Sequence, residues 1–106
     1  MIVSIRTKGI TLSEHQQEYV EKKLTNLEKY CKETDGDNCN TDVSLEKNTA
    51  KDGTEIFIDV RISLGKKMFI AKEKCLTIEE GIDLVHDKLK TQLQRYKDKM
   101  TDHHAE

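Results

Sequence analysis

The sequence has no proline and no tryptophan, and aromatic residues make up only 5% of its 106 positions. A chain without proline offers no polyproline segment, and no internal repeat or low-complexity stretch interrupts it. Its three cysteines, Cys31, Cys39 and Cys75, are odd in number and form no C-x-x-C pair. That excludes a disulfide framework and a zinc knuckle, and predicts free, partly buried thiols. No apolar run approaches the roughly 20 residues that span a bilayer, and "MIVSIRTKGI" is too short and interrupted for a signal peptide. An intracellular, cytoplasmic chain is therefore expected. Nor is there an excess of one charge: 18 Lys and Arg stand against 20 Asp and Glu, for a formal net charge of −2. Net charge selects no partner, so only the arrangement of charge can do so.

What is present is strong patterning. Val3 and Ile5 open a short alternating segment that ends at Gly9 and predicts a strand. "SEHQ", from Ser13, has the form of a capping box, and Val20, Leu24, Leu27 and Cys31 follow as one helical stripe. "KETDGDNCN", residues 32–40, is polar and aperiodic, which predicts a loop or helix exit. Val43 and Leu45 share one side of a second strand. In the third, Ile56, Ile58, Val60, Ile62 and Leu64 take every second position, opposite Glu55, Asp59, Arg61 and Ser63. An Asp-Gly turn before that strand and a Gly turn after it predict a meander. The fourth strand, "KMFIAKE", is ambiguous, with Phe69 and Ala71 the favoured inward pair. Thr77 opens a last helix through "TIEE", and Ile78, Ile82, Val85, Leu89, Leu93 and Tyr96 line one side of it. The expected architecture is α+β in the order β-α-β-β-β-α, with two helices on one face of a four-stranded sheet and the first two strands parallel. Residues 1–100 are expected to form one domain, with 101–106 as a flexible tail.

At about 100° per residue, the last helix aligns Lys88, Gln92, Arg95 and Lys99 in one row beside the apolar stripe and Lys90 with Lys97 in another. Glu80, Asp83, Asp87 and Asp98 are expected opposite the core. On the first helix, Lys23 lies beside Tyr19 and Tyr30, while Lys22 and Lys29 point away from the core. By residue type alone such lysines are good helix formers that keep a surface soluble, so the rows are not specific to nucleic acid.

Longer motifs carry more. "IDLVHDKLKTQLQRYKDKM", "LSEHQQEYVEKKLTNLEKY" and "LEKN" together resemble the ribosome hibernation promoting factor and protein Y family over nearly the whole chain, in its short form. The resemblance implies a double-stranded-RNA-binding-like fold that occupies the decoding channel of the small ribosomal subunit and its rRNA, inhibits translation and preserves idle ribosomes. Carried over by position, Lys23, Lys47, Lys88, Arg95, Lys97 and Lys99 would contact RNA; Lys22, Lys29 and Lys90 are added from charge geometry. The chain departs from the family in having "TIEEG" where Asp-Met-Tyr-x-Ala is usual, Thr91 at an often basic position, and a longer, more acidic segment around 32–39.

No Gly-rich phosphate loop, HExxH or Ser/His/Asp signature is present, so no catalytic residue, cofactor or small-molecule substrate is expected. "DGDN", Asp35 to Asn38, lacks the remaining ligands of a calcium loop, and the His103–His104 pair is not read as a metal site. His15 and His86 are expected to be solvated or packed, and Cys31 to serve packing and not redox chemistry. The protein is expected to be monomeric away from the ribosome. Two rival readings stand beside this one: a general double-stranded RNA module, and a protein–protein adaptor docking through the open sheet face around Phe57.

Overall fold

The computed structural model describes the backbone of residues 1–35, 39–50 and 53–105, and their side chains except at 32–35, 50 and 100–105. Most of the "DGDN" tetrapeptide, the Lys51–Asp52 part of the expected turn and the side chains of His103 and His104 thus lie outside the described residues. The elements are β1 (Ile2–Lys8), α1 (Glu14–Thr25), α2 (Glu28–Asp35), β2 (Cys39–Ala50), β3 (Gly53–Leu64), β4 (Lys67–Cys75) and α3 (Ile78–Ala105). The sheet order is β1-β2-β3-β4, parallel between β1 and β2 and antiparallel thereafter. This is the expected α+β arrangement.

Alternation sets the sheet. Val43, Leu45, Ile58, Val60, Ile62 and Leu64 are almost wholly buried beneath the helices. The ambiguous strand resolves as expected: Phe69 and Ala71 face the core, and Met68 and Ile70 face solvent. Gly9 ends β1 at φ +71, and a Cβ there would sit 3.1 Å from the carbonyl oxygen of Lys47, so two constraints demand glycine.

The first helical arm differs from expectation in one respect: it is two segments. After Thr25 the chain tightens, with the Leu27 amide bonding the carbonyl of Leu24 at 3.0 Å and Tyr30 that of Leu27 at 3.0 Å. Such three-residue closures keep Leu24 and Leu27 on one side through the break, so the core stripe survives. The capping box at Ser13 forms in both directions with Gln16. The cysteines are more enclosed than expected, all three being buried.

α3 is 28 residues long, about 42 Å at the usual rise. Thr77 caps it by accepting from the amide of Glu80 at 3.3 Å. Gly81 brings it onto the sheet, since any Cβ there would run into the Cys75 sulfur and the Ile58 side chain. Alanine, usual in the resembled family, would not fit against this Cys75. Further along, the Tyr96 ring meets Phe69 edge-on at 5.5 Å and Lys67 stands over it at 5.9 Å. Because these two residues begin β4, the turns after Tyr96 run past the end of that strand.

Candidate nucleic-acid interface

Packing assigns the two flanks of α3 to different neighbours. On the β4 flank, the Lys88 ammonium lies 2.7 Å from Glu73 and donates to the carbonyl of Lys72 at 3.3 Å, while the Gln92 amide donates to the carbonyl of Ile70 at 3.0 Å. β4 is an edge strand, and these side chains occupy carbonyls that an incoming strand would need. Lys88 is therefore spent largely inside the molecule. Arg95 and Lys99, farther along the same flank, are exposed and make no ion pair among the described residues.

The opposite flank faces α1. Here Asp83 accepts from the Tyr19 hydroxyl at 2.5 Å and pairs with Lys23 at 3.2 Å. The Tyr19 hydroxyl, held by this carboxylate, has its pKa pushed from 10.0 to about 12, and the same hydrogen bond, with Lys23 adding to it, holds the Asp83 carboxyl below its ordinary range. One turn on, His86 sits between Asp87 and Asn26, with ring nitrogen to oxygen distances of 3.2 Å to each. Tyr19, Lys22, Lys23, Asn26 and His86 line a groove of about 380 Å³. Helical geometry puts Lys90 and Lys97 on this same flank, beyond His86.

The expected cations thus fall into four positions. Lys22 and Lys23 line the inter-helix groove, with Lys90 and Lys97 beyond it on the same flank of α3; Lys88 borders β4, with Arg95 and Lys99 farther along that flank; Lys29 rests over the Tyr30 ring at 5.3 Å on α2. Lys47 occupies an inward-parity position past the core of β2, exposed at the end near Gly9. Among the described residues Lys22, Lys47, Lys90, Arg95 and Lys99 carry no ion pair, whereas Lys23 and Lys88 are neutralised. Asp83 is a correction, since it turns into the groove instead of standing with Glu80, Asp87 and Asp98. Its angular position near His86 was the signal available in the sequence. Glu73 was likewise readable, as it shares the inward parity of Phe69 and Ala71. Thr91, at the often basic position, donates back to the carbonyl of Asp87 at 3.0 Å and offers no charge.

Residues 3–101 match the family described as sigma 54 modulation protein / S30EA ribosomal protein. The chain belongs to that family. Among solved structures, a ribosomal subunit interface protein from Coxiella burnetii is similar at 23% identity, covering 92% of this chain and 99% of that one with a TM-score of 0.74. The N-terminal domain of Thermus thermophilus protein Y is similar at 21% identity, covering 91% and 99% with a TM-score of 0.70. At these identities the likeness concerns the fold. The family match spans every element that positions the cations, from β1 to the part of α3 beyond Tyr96. Among the described residues no group of three or more His, Cys, Asp or Glu side chains converges as a metal site would require, and no helix is long and apolar enough to cross a membrane.

Proposed function

We propose that this member of the S30EA ribosomal protein family is a hibernation factor: it binds rRNA of the small ribosomal subunit in the channel of messenger and transfer RNA, and so inhibits translation while keeping idle ribosomes intact. The observation that carries this reading is the set of cations on the helical side of a family member that make no ion pair among the described residues: exposed Lys22, Arg95 and Lys99 and half-buried Lys90, with exposed Lys47 at the sheet end. Unpaired ammonium and guanidinium groups contact phosphates without first losing an acidic partner, and they recognise backbone shape more than sequence. The carboxylates interspersed on the outer side of α3 weaken indiscriminate binding. In this reading the protein works by occupancy in the cytoplasm, with no catalytic step, and is a monomer when off the ribosome.

Co-sedimentation with purified small subunits across a salt series tests it. Log affinity should fall with log salt at a slope of about −0.7 to −0.9 per phosphate contacted, and messenger plus transfer RNA should displace the protein. Binding that survives both competitors but yields to free duplex RNA would replace this reading with a general double-stranded RNA module. Salt-independent binding, or none, would reject RNA recognition altogether.

A further inference from the structure

His86 stands on the wall of the inter-helix groove, opposite the end of α1, and its side chain is 12% exposed. Both ring nitrogens face oxygens. Nδ1 lies 3.2 Å from Oδ1 of Asp87, and Nε2 lies 3.2 Å from Oδ1 of Asn26, the residue that caps the C-terminus of α1. A neutral imidazole has a single N–H and donates to one of these oxygens, whereas an imidazolium has two and donates to both. We propose that His86 is a proton-operated cation of this groove: charged, it offsets Asp87 and joins Lys22 and Lys90 in attracting RNA phosphate, so that affinity rises as the solution is acidified from about pH 8 to about pH 5.5. The proposal rests on the RNA-binding reading of the helical face, and it gives His86 a role beyond the solvated or packed one expected from sequence.

The surroundings hold the ring in place in either state. Asn26 can present its amide oxygen to the imidazolium or, turned over, its NH2 group to a bare Nε2 of the neutral ring, while Nδ1–H donates to Asp87 in both cases. Protonation therefore changes the charge of the groove wall and not its shape. On α3, Asp83 lies one turn before the ring, Asp87 beside it and Lys90 one turn after. From α1, Tyr19, Lys22 and Lys23 line the same groove, and the carbonyl end of that helix favours a cation. Lys23 and Tyr19 are bound to Asp83. That carboxyl, held low first by the Tyr19 hydroxyl and then by Lys23, is held lower still by a charged His86, so the ring's charge is felt across the groove. On α2, Glu28 is engaged by the Met1 ammonium at 3.3 Å and Lys29 by the Tyr30 ring. Lys22 and Lys90 make no ion pair among the described residues. A phosphate arriving near them meets a wall more positive by the proton's charge when His86 is protonated, and by reciprocity RNA binding draws that proton in.

The test measures co-sedimentation of the full chain with small subunits at about pH 8 and about pH 5.5, at a single ionic strength. The ratio of acidic to alkaline affinity should be about three- to sixfold larger for the unsubstituted chain than for His86→Gln, which corresponds to at most one phosphate contact near 0.1 M salt. His15, the terminal histidines and the ribosome titrate alike in both chains and cancel in that comparison. In the free protein, proton–nitrogen NMR spectra over the same range should show the Asn26 side-chain amide moving in step with the His86 ring, a readout that needs no substitution. Equal ratios in the two chains, a His86 ring that does not titrate in this range, or an Asn26 amide that stays still while it does, would each overturn the proposal and leave RNA binding standing. Binding by neither chain at either pH would reject RNA recognition itself and this proposal with it.

Discussion

The two faces of this molecule carry similar side chains and differ in how those side chains are satisfied. On the open face of the sheet, cations meet acids: Arg61 at 3.3 Å and Lys72 at 3.8 Å from Asp59, Lys74 at 3.5 Å from Glu55, Lys8 at 3.7 Å from Glu46. Asp59 and Lys72, and Lys8 and Glu46, stand opposite one another in register, Lys74 reaches Glu55 diagonally, and Arg61 shares Asp59 from two residues along the same strand, so side chains on one sheet face find partners within and across strands. On the helical face the sheet's register no longer operates, and Lys22, Lys90, Arg95 and Lys99 find no acidic partner among the described residues. A near-neutral chain can thus present one face with little field and another with a local positive one. Phe57, 37% exposed on the first face, stands among charges that already answer each other.

The largest expected effect comes from erasing that contrast. Lys90→Gln, Arg95→Gln and Lys99→Gln together should weaken ribosome binding by about 100-fold near 0.1 M salt and flatten the salt slope by about 2 to 3. Arg61→Gln with Lys72→Gln should change affinity by less than about twofold, because exposed pairs contribute little. Equal losses from the two sets, read in the same salt series, would break the comparison between the faces.

A smaller effect separates a paired cation from a free one on a single flank of α3. Lys99→Ala should cost roughly one phosphate contact and shift the slope by about 0.7 to 0.9. Lys88→Ala should leave the slope nearly unchanged and act on the protein itself. Glu73 loses its partner at a stability cost of up to about 1 kcal/mol, and the carbonyl of Lys72 at the β4 edge is uncovered. Lys88→Ala with Gln92→Ala should promote self-association at high concentration, seen by sedimentation velocity. A large affinity loss for Lys88→Ala would return it to the RNA-binding set.

This division marks where the sequence stops being legible. Strand alternation, caps and helical stripes are local or periodic, so β3 and the Ser13 and Thr77 starts follow from the chain directly, whereas the β4 register, ambiguous in sequence, is decided by packing in favour of inward Phe69 and Ala71. The break between α1 and α2 does not, because a spacing of Leu24 to Leu27 suits a tightened turn as well as a continuous helix. The cation rows were equally visible, but their pairing was not. Whether Lys23 is free depends on Asp83, and whether Lys88 is free depends on Glu73, each on another element. Residue type and spacing place a charge on a flank, and only packing decides which carboxylate it finds there.

The smallest effect sharpens the comparison inside the groove itself. Asp83→Asn should release Lys23 from its partner and raise ribosome affinity about two- to threefold, while costing about 1 kcal/mol through the lost charged hydrogen bond to Tyr19. The same contact gives stability a pH signature at both ends. The Tyr19 hydroxyl, with its pKa raised from 10.0 to about 12, contributes fully below pH 10 and loses that contribution as pH rises to about 12. Asp83, depressed in the folded state, contributes above the ordinary carboxylate range and loses its share as pH falls through its lowered value. Tyr19→Phe should therefore flatten the alkaline limb of the stability curve, measured as denaturation midpoint against pH, and a limb unchanged in that variant would show that the phenol and the carboxylate do not hold α1 to α3.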